Sequence, residues 1–244
     1  MSDNRKAPIY VQLAETLKGR ILQEEYRAGE LLAPARDLEQ EFGVSTITIR
    51  KAMSILVQEG YVEPKQGVGT RVTKRPEEIV ELKLSGNFWN WADSALTRNL
   101  QTETEVLELA TVPCPRRIAE LLHAKGSAPI WRMKRIRKLN GHPASFIVNY
   151  ALPELMSGVN KEMFLKQPFL TVFRDHCGVQ LASVEQMVRA TVADIDTSAK
   201  LGIGFGEAMF LVENTYMDMS QAPVEVSCIH FRGDLYVYKT KISF

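Results

Sequence analysis

Residues 42–62 read FGVSTITIRKAMSILVQEGYV, and this stretch decides the fold of the first third of the chain. Gly43 supplies the left-handed residue that closes one helix, and Ser45 supplies a side-chain oxygen that caps the next. Ile49, Ala52, Met53 and Leu56 then fall on one face at helical spacing, and Gly60 ends the helix. Two helices joined by so tight a turn form a helix-turn-helix.

The flanks complete the unit. Upstream, Pro8 suits a first helical turn, and Ile9, Leu13, Leu17 and Ile21 recur every four residues as far as about Glu25. Gly29 breaks that helix, and Pro34 opens the short one that ends at Gly43. Downstream, Tyr61-Val62 and Thr70-Arg71-Val72 enclose Pro64-Lys65-Gln66-Gly67-Val68-Gly69, two β-prone runs around a glycine-rich turn. Three helices followed by a hairpin make the winged form of the helix-turn-helix, expected over residues 1–75.

Composition bounds the rest. At 244 residues the chain has room for two modest domains, and 45% hydrophobic with 24% charged residues is ordinary for a soluble globular protein. No apolar run approaches the ~20 residues of a membrane helix, and residues 1–6 are polar, so neither membrane span nor signal peptide is expected. Cys114, Cys177 and Cys228 are odd in number, far apart and without a CxxC, which argues against disulfides and structural zinc and for the cytoplasm. The four histidines show no metal-ligand spacing, and no cofactor is expected.

Net charge is only +1, but its distribution is uneven. Residues 45–75 carry Arg50, Lys51, Lys65, Arg71, Lys74 and Arg75 against Glu59 and Glu63, a local excess of +4, whereas residues 8–44 are acidic. A basic patch confined to one stretch is the footprint of a DNA-binding face, although solvated surfaces also carry such runs.

Residues 76–87 are charged, contain Pro76 and read as a linker. Beyond them β-prone runs alternate with short helical ones. Strand-like stretches cover 106–112, 130–139, 144–152, 181–192, 210–217, 224–231 and 235–242, with helices at 116–124, 169–176 and 194–201. Asn140-Gly141 is a type I′ hairpin signal. Hairpins dominate, so an α+β fold with a mainly antiparallel sheet and flanking helices is expected over 88–244.

At this point a resemblance becomes specific. Residues 8–72, through Gly29-Glu30-Leu31-Leu32, Phe42-Gly43-Val44-Ser45, Thr48-Ile49-Arg50-Lys51-Ala52, Glu59-Gly60-Tyr61-Val62 and Gln66-Gly67-Val68-Gly69-Thr70, resemble the reader domain of GntR-family transcription regulators. The resemblance implies that the third helix enters the major groove of double-stranded operator DNA, with Ser45, Thr46 and Thr48 at base edges or phosphates. Arg50, four residues after Thr46 and on its face, is the candidate for bidentate reading of a guanine or for clamping a phosphate. Lys51 and Arg36 add charge, and in the wing Lys65, Gln66, Gly67, Gly69 and Arg71 approach the minor groove. Two departures stand out. The family's Pro-Ser-Glu-Arg run reads Ala33-Pro34-Ala35-Arg36 here, and Thr46 replaces an arginine that usually follows the capping serine, so the operator is expected to be unusual.

The second half is similar, more loosely, to the UTRA effector-binding domain of the HutC subfamily, whose fold is chorismate-lyase-like. The matching stretches include Pro129-Ile130-Trp131-Arg132, Arg135-Ile136-Arg137, Asn140-Gly141-His142-Pro143, Tyr150-Ala151-Leu152-Pro153 and Pro223-Val224-Glu225. The resemblance implies a small-molecule effector, a homodimer, a repressor released by its ligand and no catalysis. Strand periodicity adds an independent observation: Trp131, Met133, Arg135 and Arg137 share one face, two arginines beside apolar neighbours. Such arginines call for an anion, either a ligand or an internal carboxylate such as Glu225 or Glu185. In sugar-phosphate-binding relatives the equivalents of Arg135, Arg137 and Thr171 hold the phosphate. Glu225 is kept, while Ile147 and Phe231 stand where such relatives have polar residues. Trp89, Asn90 and Trp91 occupy a segment that often closes over the ligand, and Phe173 is counted to the same site.

The rival reading is a chorismate-lyase-like enzyme fused to a DNA-binding module, but no paired acid and base with sensible spacing appears. Asp175-His176-Cys177 are neighbours on a helix and point apart, so they form no relay. Gly202-Ile203-Gly204-Phe205-Gly206 lacks the strand-then-helix setting of a nucleotide loop.

Overall fold

The structure, a computed structural model, describes residues 7–73, 80–83 and 101–239. It divides into two compact units, Met1–Glu77 and Glu78–Phe244.

The first unit follows the sequence closely. Its helices are α1 (Ile9–Leu22), α2 (Ala35–Phe42) and α3 (Thr46–Gln58), followed by the antiparallel pair β1 (Val62–Lys65) and β2 (Gly69–Val72). Leu13, Leu17 and Ile21 of the α1 stripe are buried against Leu38, Ile49, Ala52 and Leu56, while Ile9 at the helix start stays exposed. Gly43 adopts φ 62°, ψ 34° as the α2 cap, and the Ser45 hydroxyl accepts from the Thr48 amide to start α3. The turn between the two helices is thus fixed at both ends by local chemistry.

Among the described residues, the second unit is built on a six-stranded antiparallel sheet. Its strands are β4 (Thr102–Pro113), β5 (Pro129–Leu139), β6 (His142–Ala151), β7 (Leu181–Val192), β8 (Ala208–Asp218) and β9 (Pro223–Arg232), in the order β4-β5-β6-β9-β8-β7. β5 and β6 meet through Asn140-Gly141, both at positive φ (48° and 81°), as a type I′ turn requires. Helices cover both faces. On one face α5 (Lys161–Lys166) and α6 (Phe169–Asp175) pack Phe164, Phe169 and Phe173 onto Trp131 and Met133. On the other, α4 (Arg116–Leu121) seats Ile118 on Ile130 and Val226, and α7 (Ile195–Leu201) seats Leu201 near Phe146 and Val148. α7 starts in a capping box between Asp194 and Thr197.

Two features differ from the sequence expectation. Val80–Lys83, inside the stretch read as a linker, forms β3 and pairs in parallel with β10 (Tyr236–Lys239). The chain between β6 and α6 also holds a 3-10 turn (Pro153–Met156) and α5, which were not foreseen. The Gly202–Gly206 run follows a helix and leads into a strand, the reverse of a nucleotide loop.

Because a Cβ at Gly43 would meet no atom within 4 Å, replacement there tests backbone strain alone. Gly43→Ala should lower stability by about 1–2 kcal/mol and Gly43→Asn by less, read as shifts of the urea midpoint.

Candidate functional site

In the first unit the exposed surface around α3 collects the residues expected to read DNA. Ser45, Thr46 and Arg50 are exposed, and Thr48 is half-buried with its hydroxyl 3.1 Å from that of Ser45. Arg36 at the start of α2 is exposed, as are Lys65, Gln66, Gly67 and Gly69 in the wing. The wing turn closes through the Val68 amide on the Lys65 carbonyl, with Gly67 at φ 74° and Gly69 at φ 131°. These are conformations that glycine alone adopts without strain.

The charges of this unit divide into two groups. Arg20 is paired with Glu41 and Lys18 with Glu59, so these cations are spent within the fold. Arg36, Arg50 and Lys65 take part in no ion pair among the described residues and leave their charge for an outside anion. Lys51 is exposed, yet its ammonium lies 5.4 Å from the Tyr10 ring centroid, an internal cation–π contact. Arg71 is half-buried, with Nε buried and unpartnered. A capped helix N-terminus with hydroxyls, unpaired cations behind it and a glycine-rich basic hairpin beside it can grip the DNA backbone and reach into both grooves.

In the second unit a pocket of about 40 Å³ opens over the sheet. Arg135 and Arg137 line it from β5, Ile147 and Asn149 from β6, and Ser227, Ile229 and Phe231 from β9, with Tyr216 from β8. The turn into α6 contributes Pro168, Phe169 and Leu170. Of the residues expected here, Arg135, Arg137, Ile147 and Phe231 come together. Thr171 is half-buried on α6 but does not line the pocket. Phe173 is fully buried, with its ring stacked 5.6 Å from Phe169. Glu225 is fully buried on the same face of β9 as Ser227, Ile229 and Phe231 but does not line the pocket. Trp89, Asn90 and Trp91 lie outside the described residues. Asn149, Ser227 and Ile229 were missed although they sit at period two from Ile147 and Phe231; Tyr216 and the α6 residues required the register and the packing.

Arg135 is the unusual group of this pocket. It is 6% exposed, its guanidinium carbon lies 5.4 Å from the Phe169 ring centroid, and its Nε has no hydrogen-bond partner. Burial, with the charge of Arg137 beside it, lowers its pKa to about 9, so it remains a cation at neutral pH. No ion pair among the described residues involves Arg135 or Arg137. Of the internal partners considered from sequence, Glu225 acts on Arg135 through its charge, each favouring the other's charged form, but no ion pair joins them. Glu185 is exposed on β7. Glu225 accepts a hydrogen bond from Asn149 Nδ2 at 2.8 Å, and burial pushes its carboxyl up to about 8, so at pH 7 it is largely neutral. A buried cation with no carboxylate in ion-pair contact is costly, and an anion entering the pocket would relieve that cost.

The fold therefore comprises a winged helix-turn-helix unit with exposed basic residues and an antiparallel sheet unit with a pocket lined by two arginines. Comparison with known proteins agrees. Residues 9–72 match the bacterial regulatory proteins of the gntR family, and residues 97–237 match the UTRA domain. The chain is 27% identical over 231 residues to the HTH-type transcriptional regulator GgaR of Escherichia coli (strain K12), covering 95% of this chain and 90% of that one. It is 25% identical over 240 residues to the HTH-type transcriptional repressor NagR of Bacillus subtilis (strain 168), covering 98% and 97%. The crystal structure of PhnF from Mycobacterium smegmatis shares the fold, with a TM-score of 0.60 at 20% identity over 97% of this chain and 99% of that one. The chain belongs to the GntR family of bacterial transcription regulators and carries that family's UTRA effector-binding domain. It is a non-enzymatic DNA-binding regulator, and the lyase alternative is set aside.

Two outcomes follow from these sites. Arg50→Ala should weaken binding to an operator selected from random duplexes. If Arg50 holds a phosphate, the slope of log affinity against log salt falls by about 1, and if it reads guanine, one base position loses about 1–3 kcal/mol of discrimination. Glu225 titrates near 8 in the fold against an ordinary 4.5, so it holds its proton more tightly when folded. The stability this proton contributes is full below about pH 4.5 and is lost as pH rises towards 8. Urea titrations across that range should therefore show Glu225→Gln gaining on the wild type as pH increases.

Proposed function

We propose that the protein is a repressor acting as a homodimer in the cytoplasm, with residues 1–75 on operator DNA and an anionic metabolite bound between Arg135 and Arg137. The observation that carries this reading is the buried Arg135 at the pocket wall, its Nε without a hydrogen-bond partner and in no ion pair among the described residues. A ligand carboxylate or phosphate supplies the missing charge through hydrogen bonds that the guanidinium geometry favours. The unpaired Arg36, Arg50 and Lys65 support the first unit as the reading surface, with Ser45, Thr46 and Thr48 at the groove. The repressor sense follows the printed name of NagR. Effector binding then shifts the balance between DNA-binding and released arrangements of the dimer, which requires different affinity for the two.

Fluorescence anisotropy on a selected operator, in the presence of carboxylate- and phosphate-bearing metabolites, tests this reading. An effector should lower DNA affinity at least tenfold in the wild type and be recovered chemically intact. Arg135→Ala should keep DNA affinity within about twofold and lose the response. A variant that responds like the wild type removes Arg135 from the effector site. Light scattering should give about twice the 27.5 kDa of one chain.

A further inference from the structure

The lining of the pocket says more than its charge. Strand register places side chains of one face in rows that run across the sheet. Arg135 is opposite Ile147, which is opposite Ile229, which is opposite Val212. Arg137 is opposite Ser145, which is opposite Phe231. A molecule anchored at the two arginines and extending over the sheet therefore lies on Ile147, Ile229 and Phe231, under a roof of Pro168, Phe169 and Leu170.

The polar side chains in the next row are largely engaged with one another. Asn214 Nδ2 donates to Ser227 Oγ at 3.1 Å, Gln186 Nε2 donates to Asn214 Oδ1 at 2.7 Å, and the Tyr238 hydroxyl donates to Gln186 Oε1 at 3.1 Å. Asn149 gives its amide hydrogen to Glu225. Asn149 Oδ1 keeps no partner and offers one acceptor at the pocket wall, but over Ile147, Ile229 and Phe231 a polyhydroxyl body would lose its water and regain no hydrogen bond, which selects against it there.

Building on the anion reading above, we infer that the ligand is an amphiphile, an anionic head with a short apolar body, and that Ile147, Ile229 and Phe231 set this preference.

Isothermal titration of the full chain with methyl, ethyl, propyl and butyl phosphate, and with glucose 6-phosphate carrying the same head group, tests the inference. Affinity should rise about fourfold with each of the first methylenes, as burial of each CH₂ implies. Glucose 6-phosphate should bind at least tenfold more weakly than the best alkyl phosphate. Arg135→Ala should abolish binding throughout the series, and Ile229→Thr should flatten its dependence on chain length while preserving binding of methyl phosphate. If glucose 6-phosphate binds as tightly as the alkyl phosphates, and Arg135→Ala removes both, the amphiphile inference falls and the anion reading stands. If Arg135→Ala leaves the affinities unchanged, or no member of the series binds, the anion reading falls and the inference with it.

Discussion

Alternation along β5 is the constraint on which the effector domain turns. Successive side chains of a strand point to opposite faces, so Arg135 and Arg137 cannot share a face with Ile136. Ile136 joins the layer beneath α7, while Trp131 and Met133 join the layer beneath α5 and α6. The arginines are carried to that second face, and α6 covers Arg135 with Phe169. Burial of a cation here is thus a consequence of pleat and packing rather than of any salt bridge, and the pocket exists where that cation meets the apolar rows of β6 and β9.

The two units specify their sites differently. The reader is a set of local decisions: Gly43 and Ser45 fix one turn, Gly67 and Gly69 fix another, and Arg36, Arg50 and Lys65 are exposed and in no ion pair among the described residues. Its exposed charge is also smaller than a count of basic residues suggests. Lys51 rests over Tyr10 and Arg71 is half-buried, so of the described cations expected at the DNA, Arg36, Arg50 and Lys65 are the ones exposed and free of such contacts. The pocket, by contrast, is a non-local object assembled from four strands and a helix entry.

That contrast explains what was legible in the sequence. Caps, breakers and the Asn140-Gly141 turn act over a few residues, so α1 to α3, the wing and the β5–β6 hairpin could be read directly. So could the arginine face, because period two needs only the strand. Asn149, Ser227 and Ile229 become neighbours of Arg135 through the cross-strand register of β5, β6 and β9, which no local pattern announces. Tyr216 and Leu170 reach the pocket from further still. α5 escaped notice because six residues carry too little periodicity to separate helix from turn. The pairing of β3 with β10 escaped because it joins two four-residue strands from opposite ends of the unit.

This last pairing governs where the effector domain can be cut. The stretch matching the UTRA domain begins at residue 97, beyond β3, yet β10 hydrogen-bonds in parallel to Val80–Lys83. A fragment trimmed to the matched stretch would strip the edge from β10, expose its backbone amides and carbonyls, and loosen the support of Tyr236, which packs its ring 4.6 Å from Phe231 at the pocket. Val80–Lys83, within the stretch that looks like a tether, therefore belong to the sensor's own scaffold, and excising it intact means starting ahead of Val80.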